Sequence, residues 1–280
     1  MAAGMITDAA VERWLREDVG QHDVTNDVPG ETSGRLVATE SGVAAGLDAA
    51  AAVFEYLGVD VRERVDAGDR VEAGDVVLRT EGAARETLRG ERVAVNLAGH
   101  ASGVATRTRR AVDAAREVSD GVAIAATRKT TPGLRGVEKR AVVAGGGDTH
   151  RLNLSHMVMV KDNHVAELGL EDAVAHFRDA ASFATKVEVE AESHEQAVRA
   201  VDAGADVVLL DNMSPGATAA AATAVRDAAV AERREVVVEA SGGITVGDVP
   251  AYADAGVDVV SMGSLTHSAP ALDYSFRTGD

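Results

Sequence analysis

The sequence predicts an α/β protein: a mixed α/β unit over residues 1–90, followed by a β/α barrel over 91–265 that has fewer strands than a complete barrel. Three observations predict it. From about residue 122, short apolar runs alternate with helix-patterned stretches, as repeated β-α units around a buried parallel sheet do. Before residue 90, short β runs are separated by Gly/Asp steps. The 280 residues, 46% of them hydrophobic, suffice for one large domain or two modest ones. Aromatic residues make up only 3%, so the core is built from Ala, Val, Leu and Ile. Residues 266–280 are expected to rejoin the N-terminal unit.

Taken in order, "DAAVERWLRED" reads as a helix, "GRLVATESGVAAG" as strands with glycine turns, and "LDAAAAVFEYLG" as a helix ended by Gly58. In "VDAGDRVEAGDVVLRTEG" the two "AGD" steps, at 67–69 and 73–75, are turn signals between short strands, too closely spaced for a solenoid repeat. Residues 91–118 form a long, mostly apolar helical stretch interrupted by Gly99 and Gly103, which predicts close packing of another helix there. Six strand runs follow: "VAIAAT", "HMVMVK", "KVEVEAE", "ADVVLLDN", "EVVVEASGG" and "VDVVSMGS". Between them lie helices such as "GLEDAVAHFRDA", "SHEQAVRAVDAG" and "VGDVPAYADAG".

Charge excludes some functions and locates others. The chain carries 28 Lys+Arg against 45 Asp+Glu, a net charge of −17, which argues against general nucleic-acid binding. The absence of cysteine excludes disulfides, thiolate metal sites and a cysteine nucleophile. The N-terminus does not read as a signal peptide, and no apolar run approaches a membrane span, so a cytoplasmic setting fits. Lysine occurs only at 129, 139, 161 and 186. An acidic chain with few lysines and few aromatics points to work in high salt; a GC-biased genome accounts for the same composition.

Against this background, residues 128–161 concentrate seven cations (Arg128, Lys129, Arg135, Lys139, Arg140, Arg151, Lys161) with only two acids, Glu138 and Asp148. Arg128 and Lys129 lie just past one predicted strand, Lys161 ends the next, and His150 and Arg151 lie on the segment entering it. A barrel brings such ends to one mouth. Arg forks and Lys point charges together suit a ligand with several anionic groups; the plain alternative is ion pairing with the acidic surface. Glu188 and Glu190 share one face of a strand and Asp211 ends the next. Carboxylates at successive strand ends suit Mg²⁺ or sugar hydroxyls, or else a solvated strand edge. "ASGG" (240–243) and "SMGS" (261–264) suit a phosphate at a helix start, or are plain turns. "GGG" at 145–147 reads as a flexible connection. His164, in "KDNH", reads either as a catalytic residue or, as a lone His more often is, as a packed or capping one, and His267 and His100 read no differently. No Ser-His-Asp set and no metal-binding His cluster is visible in the spacing.

Together these motifs closely resemble the quinolinate phosphoribosyltransferases. The resemblance is carried by "REDVGQHDVT", "ERVAVNLAGHASGVAT", "TRKTTPGLRGVEKRAV", "GGGDTHRLNL", "VKDNH", "VEVEAES", "LLDNMSP", "EASGGIT" and "SMGSLTHS", in order over nearly the whole chain. It implies an N-terminal α/β sandwich domain with an incomplete β/α barrel, the type II phosphoribosyltransferase architecture. It implies quinolinate and phosphoribosyl pyrophosphate as substrates, Mg²⁺ as cofactor, and a homodimer with shared active sites, or a higher oligomer built from it. By motif, Arg128, Lys129, His150, Arg151 and Lys161 are similar to ligands for the substrate anions, and Arg92 to the residue supplied across the dimer. Glu190 and Asp211 resemble the carboxylates near ribose and Mg²⁺, directly or through water. Ser241, Gly242, Gly243 and Gly263 resemble the 5-phosphate loops. Lys129, Lys161, Glu190 and Asp211 are the catalytic candidates. Asn153 and His156 stand where that family often has Gly and Asp, and Arg140 where it often has an aromatic. None is an implied ligand, so local packing rather than activity is expected to differ.

Three other readings use the same residues: a molybdenum-transport-associated relative of the same fold with another substrate, a Schiff-base aldolase built on Lys161, and a phosphate-ligand binder without turnover. The charge reading has a direct consequence. At −17 the chain repels itself when screening is weak. Its melting temperature is therefore expected to be higher in molar KCl than in dilute buffer, and an unchanged value refutes the high-salt reading.

Overall fold

The computed structural model describes residues 6–279. Residues 1–5 and residue 280, the ends of two expected segments, lie outside the described residues. Helix α1 (Asp8–Val19) is capped by Thr7, whose side chain accepts from the Ala10 N–H, and stops at Gly20, where φ is 63°. Strands β1 (Glu31–Ala38) and β2 (Gly42–Val43) lead into α2 (Leu47–Tyr56). Strands β3 (Asp60–Arg64), β4 (Arg70–Val71) and β5 (Val76–Ala83) follow, then the 33-residue helix α3 (Ala84–Arg116). The twin "AGD" steps make twin turns. Gly68 and Gly74 sit at φ of 101° and 100°, and Asp69 and Asp75 each accept from the backbone N–H three residues back, at 3.1 and 2.8 Å.

The second half continues with β6 (Ala123–Ala126), α4 (Arg135–Ala144), β7 (Val158–Val160), α5 (Asp162–Leu168) and α6 (Leu170–Ala180). Then come β8 (Val187–Ala191), α7 (His194–Asp202), β9 (Val207–Asp211), α8 (Pro215–Ala231), β10 (Val237–Ser241), α9 (Val249–Ala253), β11 (Val259–Met262), α10 (Ser264–His267) and β12 (Tyr274–Thr278). By packing, the described chain forms two compact units. One holds residues up to 109 with 130–146 and 268 onward; the other holds 110–129 with 147–267.

In the first unit a four-stranded antiparallel sheet runs β12-β1-β5-β3. One face is covered by α2 and by Ala94 and Ala98 of α3, around Leu36, Leu78, Phe54 and Tyr274. This is the expected α/β sandwich. Phe54 stacks on Phe276 of the last strand at 5.4 Å between centroids. Gly99 and Gly103 do mark a close approach, but the partner is not a helix. It is the extended segment before β12: Leu272 N–H donates to Gly99 O at 2.9 Å, and a Cβ on Gly103 would run into the Pro270 carbonyl. The same unit takes three of the seven clustered cations. Arg140 pairs with Asp48 of α2 at 3.1 Å, Arg135 donates to Thr130, and Lys139 is buried. His100 packs as expected, 2.8 Å from the wholly buried Glu138, which also accepts from Thr131 N–H.

In the second unit all six expected strand runs join one parallel sheet, in the order β6-β11-β10-β9-β8-β7. Strands β6 and β7 are its two edges, so the barrel is incomplete, as the motifs implied. The sheet is apolar through Val160, Val189, Val208, Leu210, Val238 and Val260, all fully buried. At the free edge of β6, Asp148 forms a one-residue parallel bridge with Ala125.

Gly103→Ala is expected to lower stability by about 1–3 kcal/mol through overpacking against backbone that cannot yield. Gly136→Ala in α4, where the nearest atom to a new Cβ is the end of Arg140 at 3.9 Å, is expected to be neutral or to stabilise by about 0.5–1 kcal/mol. Urea denaturation of both variants at fixed KCl measures the contrast.

Candidate active site

Apolar residues bury each strand, so the chain turns polar where each strand leaves the sheet, and those ends surround one cavity of about 710 Å³. Thr127, Arg128 and Lys129 follow β6; Lys161 follows β7; Glu190 is the last residue but one of β8 and Asp211 closes β9; Ser241 ends β10 and Gly242 and Gly243 follow it; Gly263 follows β11. His150 and Arg151 enter from the segment before β7. Eleven of the twelve residues singled out in the sequence therefore line one cavity. Arg92 is not among its lining residues; it is exposed, on α3.

Each group is held in place. Lys161 and Glu190 form an ion pair, the lysine about half exposed and the carboxylate largely buried. Lys129 is anchored at its carbonyl by Thr266 Oγ1, at 2.6 Å. Its stem passes so close to Gly263 that a Cβ there would lie 2.8 Å from Lys129 Cδ, so the glycine makes room for the lysine. Gly242, at φ 102°, lies where a Cβ would collide with Asn212, and Asn212 itself has φ 56°. Ser241 and Ser261 hydroxyls join the ends of β10 and β11 at 2.9 Å. The two small-residue turns differ: Gly263 leads straight into α10, whereas α9 begins only at Val249, after the Gly242–Gly243 turn.

The floor of the cavity is acidic. Glu188 is not a solvated edge residue but wholly buried, and Glu239, which opens the motif "EASGGIT" but has no implied role there, is nearly so. His150 Nε2 lies 2.8 Å from Glu239 and 3.7 Å from Glu188. Spacing showed no metal-type cluster, yet the fold brings donor atoms of these three residues within 4.8 Å of one another. Burial, reinforced by the charge of Glu239, pushes the Glu188 carboxyl up to about 8; His150, Arg151 and Lys161 act the other way. Arg151 is also buried, its Nε without a partner among the described residues. Burial and then the like charge of Arg128 lower its pKa, and Glu188 opposes them.

The remaining histidines sort simply. His164 caps α5, its Nδ1 accepting from Lys161 N–H at 3.0 Å, and packs edge-on to Phe177. His267 lines the cavity. The departures Asn153 and His156 cap their own turn, accepting from Ser155 and Leu152 N–H respectively.

Residues 22–102 match the model of the quinolinate phosphoribosyl transferase N-terminal domain, and residues 104–277 that of its C-terminal domain. The chain belongs to the quinolinate phosphoribosyl transferase family. Among its relatives in the family, a probable nicotinate-nucleotide pyrophosphorylase (carboxylating) of Methanothermobacter thermautotrophicus is 45% identical over 95% of this chain and 97% of its own. The human nicotinate-nucleotide pyrophosphorylase (carboxylating) is 43% identical over 96% of this chain and 90% of its own. The crystal structure of NadC from Streptococcus pyogenes superposes with a TM-score of 0.88 at 38% identity, covering 99% of this chain and all of that one.

In a quinolinate phosphoribosyl transferase site built this way, Glu188 carries a pH signature. The folded chain keeps its carboxyl protonated up to about 8, whereas the ordinary value is 4.5. Its contribution to stability is thus full below the lower value and is lost as pH rises towards the upper one. Glu188→Gln is expected to gain stability relative to the parent between pH 5 and 8 and no further above that; denaturation midpoints across this range measure it.

Proposed function

We propose that the protein transfers the phosphoribosyl group of phosphoribosyl pyrophosphate to quinolinate, releasing pyrophosphate and CO₂ and giving nicotinate mononucleotide for de novo NAD synthesis. The observation that carries this is the meeting, in one cavity, of Arg128, Lys129, His150, Arg151 and Lys161 with Glu190, Asp211 and two glycine turns. Quinolinate is a dicarboxylate, and its co-substrate carries a phosphate and a pyrophosphate. A cationic wall satisfies such ligands only if several cations converge.

In this reading Arg128, Lys129, His150, Arg151 and Lys161 bind the carboxylates and the pyrophosphate. The Ser241–Gly243 and Gly263 turns receive the 5-phosphate through backbone N–H groups. Glu190 and Asp211 face the ribose, where their charge stabilises the oxocarbenium-like carbon left as pyrophosphate departs. The pyridine nitrogen, held in line by the carboxylate contacts, attacks that carbon. The C–C bond to the adjacent carboxylate then breaks, its electron pair staying on the ring carbon beside the cationic nitrogen until a proton arrives. Lys129 and Lys161 supply fixed positive charge where the leaving group and carboxylates gather.

Glu190 and Asp211 are hard oxygen donors on neighbouring strand ends, one largely and one partly buried, and so suit Mg²⁺. The His150–Glu188–Glu239 cluster suits it less, because it is deeply buried and one donor is nitrogen. A Mg²⁺ held by Glu190 and Asp211 would supply charge neutralisation for the departing pyrophosphate. Lys161, ion-paired and half exposed, does not offer the desolvated amine of Schiff-base chemistry. Among the described residues no helix is long and apolar enough to cross a membrane, and a cytoplasmic setting is part of this proposal.

A homodimer with shared sites is proposed with it. Arg92 lies outside the lining of the cavity and is exposed, as a residue offered to a partner must be.

The test is formation of nicotinate mononucleotide from quinolinate and phosphoribosyl pyrophosphate, with Mg²⁺, in high KCl. Nicotinate in place of quinolinate is expected to give none; equal turnover of nicotinate overturns the proposal. Lys129→Ala, purified and folded, is expected to lose about 100-fold or more in kcat/KM. Mixing Arg92→Ala with Lys129→Ala protein under subunit exchange is expected to restore roughly a quarter of parent activity, because half the dimers are mixed and each has one intact site. No recovery with exchange confirmed by mass spectrometry rejects the shared site.

A further inference from the structure

Glu239 stands on β10 two residues before Ser241, 2% exposed. A buried carboxylate is costly unless something uses it. Its Oε2 accepts from His150 Nε2 at 2.8 Å, and its Oε1 is buried without a hydrogen-bond partner among the described residues. No other described residue hydrogen-bonds to this carboxylate.

His150 reaches it from a segment that is itself stitched down. Asp148 N–H donates to Ile124 O at 2.7 Å and Asp148 O accepts from Ala126 N–H at 3.1 Å, which fixes the segment to the free edge of β6. The Asp148 side chain accepts from His150 N–H at 2.6 Å. His150 has φ 50°, a conformation that a non-glycine residue adopts only where its surroundings impose it. The backbone is therefore set by Asp148 and the ring by Glu239, with Glu188 3.7 Å from the same Nε2 and Arg151 next in the chain.

We propose that Glu239 is a positioning residue for the transfer reaction. Acting through His150, it holds Nε2–H on the buried carboxylate and so fixes the orientation in which the ring faces the cavity. A ring held in this way meets a ligand carboxylate in one fixed orientation. Arg151, Arg128 and Lys161 lie around the same cavity and complete its cationic lining. The role assigned to the substrate rests on the proposed function; the link between Glu239 and His150 does not.

The experiment uses the full-length chain in high KCl, with Glu239→Ala, Glu239→Gln, His150→Ala and the double variant Glu239→Ala/His150→Ala. Glu239→Ala is expected to lower kcat/KM for quinolinate by about 10- to 100-fold, while KM for phosphoribosyl pyrophosphate stays within about threefold. Glu239→Gln, which still offers an oxygen to Nε2–H, is expected to recover about half or more of that loss on a logarithmic scale. Added to His150→Ala, Glu239→Ala is expected to cost less than about twofold more. An equal cost in both backgrounds overturns the proposal, as does a parallel rise in both KM values. Nitrogen-15 NMR of the histidines reads the same link without turnover: the His150 signal, assigned by its loss in His150→Ala, reports Nε2–H in the parent and loses that preference in Glu239→Ala. An unchanged signal also overturns it. If Glu239→Ala does not fold, Glu239→Gln decides through the same KM split and spectrum. Parent protein inactive with quinolinate is failure of the functional reading, seen before any variant is made.

Discussion

Positive charge can be gathered in one cavity only if something offsets it, and in this protein the offset is built into the floor. Arg128, Lys129, Arg151 and Lys161 share the cavity with the carboxylates of Glu190, Asp211 and Glu239, while Glu188, buried beside His150, keeps its proton up to about 8 and adds no charge below that. Without the acids, four cations at close range would repel one another in a medium that screens poorly. With them, the lining stays cationic towards a ligand yet is balanced from below. The lowered pKa of Arg151 and the raised pKa of Glu188 are two sides of this arrangement, both led by burial. In the proposed function an anionic ligand completes the balance.

Backbone geometry holds these charges at fixed distances. Gly263 gives way to the stem of Lys129, and Gly242 lets β10 turn against Asn212. The strand ends are linked by hydroxyls on neighbouring strands, and Asp148 ties the His150 segment to β6. Two cavity residues other than glycine, His150 and Asn212, keep positive φ. Strain of this kind survives only where the surroundings over-determine it, and it lies here at the proposed chemistry. In the other unit the same economy of space appears at Gly99 and Gly103, where the C-terminal segment lies directly on helix backbone.

The strand runs, their parallel assembly and the twin Gly/Asp turns were legible because each is encoded within a few residues: apolar runs between helices, or a glycine with an aspartate beside it. The positions of most candidate site residues were legible for the same reason, since they lie at or just past the end of a recognisable strand; His150 and Arg151, on the segment before β7, and Arg92, on α3, do not. Local pattern did not show which of the seven clustered cations serve the cavity. Arg128, Lys129, Arg151 and Lys161 line it, whereas Arg135, Lys139 and Arg140 sit on α4, with Arg140 spent on Asp48. Nor did it show that Gly99 and Gly103 receive an extended strand approach rather than a helix, because a glycine announces proximity and not the identity of its neighbour.

By itself the sequence determined the β/α order, the residues at each strand end and, through its ordered motifs, the family. Tertiary structure alone decided that Glu188 is buried instead of solvated, that Glu239 belongs to the site, and that His150 lies 2.8 Å from a carboxylate 89 positions further along the chain. Alternation along a strand states which residues share a face, but not whether that face meets water or protein. That is settled only when separate strands close around one interior, and the energy of a buried charge depends on the partners it meets there.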